Sequence, residues 1–274
     1  MADRDGDVVV AGDRYSRTFD VLELLVGRPD GMTVTEISKR LGLPISSSHN
    51  LLQRMVTAEV VNVADDLRYS IGPRAVRLGI RIVDGLEVRA LARRHLQDLA
   101  RNTGEDVYLA VRLGRRVTYV DRLPGSHPVT VDIRLGQSLF LHATSVGKLF
   151  AAYEDQLRRR LFAQPRPPLT EHTLTGTDEL DEELARIRRQ GYALSREEAI
   201  IGVVGLAAPI QDAYGSVVAA IHISTLKMRM TPELESSLVE AATTTAALVE
   251  RDLGRLQGSP GRGRPGPDTL AVGD

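Results

Sequence analysis

The sequence predicts an α+β protein: an N-terminal winged helix-turn-helix joined by a linker helix to a C-terminal domain with a central antiparallel sheet flanked by helices. Three observations point there. From Thr33 to Met55, two short amphipathic segments meet at Leu41-Gly42-Leu43-Pro44, and the second opens on small hydroxyl residues. Around Ala64-Asp65-Asp66-Leu67, two β-prone runs read as a hairpin. Beyond residue 86, alternating runs at 106–113, 116–123, 205–211 and 216–224 lie between stretches of helical period, the pattern of an antiparallel sheet with helical layers.

The 274 residues suffice for two domains. The hydrophobic fraction is 42% but aromatics are only 4%, so the cores must be built from Leu, Val, Ile and Ala. The absence of Cys excludes disulfides, thiolate metal sites and Cys nucleophiles. No apolar run reaches the roughly 18 residues of a membrane span, and the acidic start, Met1 to Asp7, does not read as a signal peptide, so a cytoplasmic protein is expected. A net charge of -1 speaks against a chain that coats nucleic acid nonspecifically, but not against a small reader that makes a few placed contacts.

In order along the chain, residues 1–12 read as a flexible tail and 13–72 as the winged helix-turn-helix. A first helix is expected over 16–26, with Phe19, Leu22, Leu25 and Val26 on one face. The stretch 27–31, with Pro29 and Asp30-Gly31, breaks it. Thr33 and Glu36 fit a capping box, Gly42 a helix C-terminus, and Pro44 the opening of a third helix. That third helix turns Leu52, Met55 and Val56 inward. The wing follows, its tip carrying Asp65 and Asp66. A linker helix over 73–85 offers Val76, Ile80 and Val83 as a packed face, and the domain boundary falls at Asp84-Gly85.

The second domain is expected over 86–256. It comprises a helix at 87–103, strands at 106–113 and 116–123, a further strand near 128–133, and helices at 145–153 and 154–162. A Pro-rich loop, a charged helix at 177–190, strands at 192–195, 205–211 and 216–224, and a closing helix to about 256 complete it. Residues 257–274, rich in Gly and Pro, read as a disordered tail.

A helix-turn-helix braces its second helix so that the polar leading end enters the major groove. Ser46, Ser47 and Asn50 are therefore the candidates for base edges, with His49, Gln53 and Arg54 beside them; Arg68 and the start of the second helix, with Thr35, are candidates for phosphates.

Several segments resemble the IclR family of regulators. They are Tyr69-Ser70-Ile71-Gly72, the run from Arg134 to Lys148, the run from Gly191 to Glu198, Gly202 to Ile210, and Ala219 to Ser224. The likeness runs from about Tyr15 to Leu253 with the motifs in family order. It implies a DNA-binding domain, a linker helix and an effector domain, assembled as dimers or dimers of dimers on palindromic operators. The family's reading helix commonly opens Pro-Lys-Ser-Thr with an Arg four residues after the Ser; here stand Pro44-Ile45-Ser46-Ser47 and Asn50. Family effector pockets often have Cys at the place of Gly205, Ser at the place of His222 and an acidic residue near Ser195, while Ser224 matches. A relative's operator and ligand are thus not implied.

The expected effector site gathers His142, Ala143, Thr144, Ser195, Gly205, His222 and Ser224, and would take a small organic acid or polar metabolite. The helix start after Thr144 offers unpaired N–H groups to an anion, Ser224 offers a hydroxyl, and Gly205 leaves room beside them. The plainer alternatives are that His142 packs or caps, Thr144 only caps its helix, and Ser224 bonds a neighbouring strand. Alternation along the strand puts His222 with Ser224, opposite Ile221 and Ile223, facing pocket or solvent. Glu197-Glu198 reads as a solvated pair and the stretch from Asp178 to Glu183 as a solvated helix start.

Two other functions fit single features. Ser145-Val146-Gly147-Lys148 matches the Ser-x-x-Lys pattern of a hydrolase, without the companion motifs; its plainer reading is a helix start packing closely through Gly147. A winged helix also serves in adaptors that bind protein. No phosphate loop, metal site or cofactor is expected: Leu149 stands where a phosphate loop needs Ser or Thr, and the six His make no helical His-x-x-x-His pair.

Overall fold

The computed structural model describes residues 14–257 apart from 85, 130 and 132. The expected flexible tail, and all of the expected C-terminal tail except residue 257, lie outside the described residues. The chain divides into two compact units, 1–85 and 86–274, each considered by itself.

The first unit packs α1 (Arg14–Leu25), α2 (Val34–Leu41) and α3 (Ile45–Thr57) against a hairpin of β1 (Val61–Val63) and β2 (Tyr69–Ile71), and continues into α4 (Pro73–Asp84). Its core is Val21, Leu25, Met32, Ile37, Leu52, Met55, Val61 and Tyr69. The expected face of α1 is displaced. Val21 and Leu25, one turn apart, point inward, while Phe19 and Val26 are 66% and 68% exposed. Both local signals at α2 form: the Thr33 N–H donates to Glu36 Oε2 at 2.7 Å, and the Glu36 N–H to Thr33 Oγ1 at 3.3 Å. Gly42 ends the helix at φ 62°, a conformation in which a side chain would strain the backbone. The Ser38 hydroxyl donates to the Leu43 carbonyl at 2.6 Å and pins the turn that aims α3. Met32 and Tyr69 exchange backbone hydrogen bonds at 2.9 and 2.8 Å, tying the wing to the loop before α2.

The apolar face of α4, expected to pack in a dimer, is exposed in the single chain at Val76 and Ile80, with Leu78 and Ile82. They lie opposite Arg74, Arg77 and Arg81, leaving this arc exposed among the described residues.

The second unit begins with α5 (Glu87–Thr103), the hairpin β3 (Asp106–Leu113) and β4 (Arg116–Leu123), α6 (Ser145–Tyr153), α7 (Asp155–Ala163) and α8 (Thr177–Gln190). It closes with β5 (Ala193–Arg196), β6 (Val203–Gln211), β7 (Val217–Leu226) and α9 (Pro232–Gln257). The five strands are antiparallel in the order β4-β3-β7-β6-β5. Because successive strand residues face opposite sides, one sheet face (Val107, Leu109, Leu206, Ala208, Ile221, Ile223) meets α5 and α9. The other face (Tyr108, Ala110, Tyr119, Ala193, Ala207, Ala220) meets α6, which packs on α7 and α8.

The expected strand near 128–133 is absent among the described residues there. The Tyr108 hydroxyl donates to the Val131 carbonyl at 2.8 Å and accepts from the Ile133 N–H at 3.3 Å. Further on, only isolated backbone bonds, Gly136 N–H to Tyr119 and Leu139 N–H to Val117, both 2.9 Å, reach the edge strand β4.

Candidate DNA interface and effector site

Along α3, Ser48, Leu52 and Met55 are buried, and Ser46, Ser47, His49, Asn50, Gln53 and Arg54 are all exposed. At about 100° per residue, Ser46, Asn50, Gln53 and Thr57 form the middle of the outward stripe, flanked by Ser47 and Arg54 on one side and His49 on the other. Every side chain of the stripe carries hydrogen-bonding groups, as direct readout requires. Thr57 was not a sequence candidate; its hydroxyl donates to the Gln53 carbonyl at 3.0 Å.

The phosphate candidates fare less well. Arg68 is committed to its own unit: Nη1 donates to the Gly31 carbonyl at 3.2 Å and lies 3.9 Å from Glu36, and Nε lies 3.7 Å from Asp66. Thr35 is exposed at the start of α2, but its neighbour Glu36 carries a carboxylate whose pKa is held low by the Thr33 backbone bond. A negative charge there opposes a phosphate. Lys39 and Arg40, exposed in the last turn of α2, are cations the sequence reading passed over, since their helix face is fixed only by packing.

In the second unit the strand register sets Ser224 beside Gly205 and Gly205 beside Ser195, one row across β7, β6 and β5. His222, one row along, faces α6 with them. It faces neither solvent nor an open space: it is buried between Tyr108 and Tyr119, with ring centroids 5.7 and 5.1 Å away. Its Nδ1 lies 3.1 Å from Ser145 Oγ, and burial pushes its pKa down to about 3, so the imidazole is neutral.

Gly205 does not leave free room. A Cβ there would lie 2.8 Å from His222 Cε1 and 3.1 Å from Ser145 Oγ, because the imidazole fills the space that the missing side chain vacates. Ser195 Oγ donates to the Ala143 carbonyl at 2.7 Å. Thr144 caps α6, accepting from the Gly147 N–H at 3.0 Å and donating to the Phe140 carbonyl at 2.8 Å. Ser224 bonds no neighbouring strand: its hydroxyl is buried and has no partner among the described residues. His142 is packed away, with Nε2 3.0 Å from the Pro167 carbonyl and its ring edge-on to Phe140. A carbonyl only accepts, so that nitrogen carries the hydrogen, and burial lowers the imidazole's pKa.

Gly147 packs as its sequence context suggests: a Cβ would fall 2.4 Å from the Phe140 carbonyl oxygen. Lys148 does not serve Ser145. It is fully buried and donates to both oxygens of Glu198 at 2.7 and 2.8 Å and to Glu183 at 3.3 Å. Glu198 and Glu183 are therefore not solvated, contrary to expectation. Arg186 pairs with Glu183, and the hydroxyls of Thr170 and Thr173 hold the Glu197 and Glu198 carbonyls at 2.7 Å each. Burial raises the Glu198 pKa, opposed by Lys148. Nothing local marks this cluster, because its members meet only through the packing of α6, α8 and the β5–β6 loop.

A helix-turn-helix unit with an exposed polar reading helix, followed by an α+β unit with a buried polar cluster, defines a transcriptional regulator with a DNA-binding and an effector domain. A family model described as the IclR helix-turn-helix domain matches residues 16–62, and one described as the bacterial transcriptional regulator IclR C-terminal matches residues 80–251. The chain belongs to the IclR family of transcriptional regulators. It is 30% identical to the HTH-type transcriptional regulator XynR of Escherichia coli over 87% of this chain and 96% of that one. With the glycerol operon regulatory protein of Streptomyces coelicolor it is 31% identical, over 87% of this chain and 95% of that one. Among solved structures, an IclR homologue from Microbacterium hydrocarbonoxydans complexed with 4-hydroxybenzoate superposes with a TM-score of 0.79 at 26% identity, covering 88% of this chain and 99% of that one.

Proposed function

We propose that this protein is a ligand-controlled regulator that reads a palindromic operator as a dimer or dimer of dimers in the cytoplasm, by binding rather than turnover. Residues 13–72 are the reader, 73–85 the linker and 86–256 the effector and oligomerisation domain. Ser46, Ser47, Asn50 and Gln53 meet base edges; Lys39 and Arg40 supply phosphate contacts where Arg68 is occupied. The observation that carries this reading is the outward stripe of α3, polar throughout over a buried core. The exposed apolar arc of α4 supports self-association, which places two readers on symmetric half-sites.

The effector is a small organic acid or polar metabolite whose polar group meets Ser224, the hydroxyl of the Ser195, Gly205 and Ser224 row that has no partner among the described residues. A buried hydroxyl without a partner costs about 1–3 kcal/mol, which a ligand's polar group relieves. The Microbacterium hydrocarbonoxydans relative is complexed with 4-hydroxybenzoate, a small organic acid, which supports an effector of that class. The Lys148 anchoring argues against Ser-Lys hydrolysis, since the amine donates to two carboxylates rather than to Ser145.

The test is operator binding by fluorescence anisotropy with the parent protein and Asn50→Ala. An Asn that pairs two atoms of an adenine discriminates by about 1–3 kcal/mol, so the variant loses roughly tenfold or more on the operator and little on random duplex. Equal losses on both would remove Asn50 from base readout.

A further inference from the structure

Granting α3 its role as the reading helix, we propose that Ile45 selects thymine: its side chain packs on the 5-methyl group that thymine alone among the four bases presents in the major groove.

Of the apolar residues of α3, Leu52 and Met55 belong to the core of the first unit, and Leu51 and Val56 pack against it. Ile45 does neither among the described residues and is 54% exposed. It is the first residue of the helix. Every Cα–Cβ bond of a helix tilts toward the N-terminus, so the side chain of the first residue leans beyond the helix end. That end is the one that leads into the groove. Ile45, His49 and Gln53 follow at four-residue spacing along one ridge, so Ile45 heads the edge of the outward stripe on which His49 lies.

The surroundings suit an apolar contact with a base. Exposed Pro44 stands just before Ile45, so the tip of the helix is apolar. The first turn holds no acidic residue to oppose the approach of DNA. An Ile laid against a polar base edge strips water from it and returns no hydrogen bond. Against a methyl group it removes apolar surface from water on both sides. Burying one methyl group is worth about fourfold in affinity. Two symmetric half-sites double the contact, for about fifteenfold together.

The test first selects an operator for the full chain from a library of random duplexes. Each thymine of the half-site is then replaced, in both half-sites at once, by deoxyuridine, which lacks only the methyl group. Fluorescence anisotropy gives the affinities of the parent, Ile45→Ala and Ile45→Val, and thermal melting checks that the variants fold. At one thymine position the parent should lose about fifteenfold, Ile45→Ala less than twofold, and Ile45→Val an amount between. The readout is a ratio within each protein, so a uniform loss from a displaced helix does not imitate it. A parent that loses less than twofold at every thymine overturns the proposal, as does Ile45→Ala that keeps the parent's full sensitivity to the methyl group. Either result, obtained on a selected operator, leaves α3 as the reader. Failure to select any operator withdraws that role and the thymine contact with it.

Discussion

Gly205→Ala is a small change with a large expected effect. The added methyl group would sit 2.8 Å from His222 Cε1, a separation that must be relieved, and 3.1 Å from Ser145 Oγ. The imidazole has little freedom to retreat, because Tyr108 and Tyr119 hold its other sides. Overpacking a filled core costs about 1–3 kcal/mol. Displacing the ring also breaks its bond to Ser145, worth about 0.5–1.5 kcal/mol. The sum is roughly 2–4 kcal/mol. The second partner should be visible in a double-mutant cycle: with His222→Ala the obstacle is gone, so Gly205→Ala in that background costs much less than alone, a coupling of about 1–3 kcal/mol. Urea unfolding of the full chain followed by tyrosine fluorescence reads it directly, since the chain has no Trp and the affected rings are tyrosines. Additive effects of the two substitutions, or a Gly205→Ala variant as stable as the parent, would refute the idea that the imidazole occupies the glycine's space.

Three further outcomes follow from the same geometry. Ser224→Ala should weaken effector binding by about 0.5–1.5 kcal/mol in calorimetry while leaving the ligand-free protein as stable or slightly more so, because the hydroxyl it removes has no partner among the described residues; a clear loss of stability would contradict this. Lys148→Met strands Glu198, while Glu183 keeps Arg186, and should cost about 3–5 kcal/mol near neutral pH. Burial already raises the Glu198 pKa, so the folded variant takes up its proton before the unfolded chain does, and the deficit should shrink as pH falls toward the carboxylate range; a deficit that does not change with pH in denaturation midpoints would rule out the stranded charge. Ile80→Asp, within the exposed apolar arc of α4, should shift sedimentation toward monomer and weaken operator binding, while an unchanged assembly state would place the self-association elsewhere.

Sequence alone determined the order of the elements and the sidedness of the strands. Hydrophobic period, the Thr33–Glu36 box and the glycines after helices are local signals, and local signals set α2, α3, α5 and α8 closely. Alternation along β6 and β7 was enough to place Gly205, His222 and Ser224 on one face, because a strand's period of two has no freedom once the strand exists. Tertiary structure decided what those faces meet. Which turn of α1 points inward depends on where the wing and α2 lie, so Val21 rather than Phe19 is buried. The Ser145–His222 bond and the Lys148–Glu198–Glu183 cluster join residues 77, 50 and 35 positions apart, and no window of sequence contains them. Arg68 illustrates the same limit from the other side. Its type and place suit a phosphate, but only the packed unit shows that Gly31 and its neighbouring carboxylates already engage it. A residue's chemistry is carried by its own atoms, whereas its availability depends on neighbours that only the folded chain supplies.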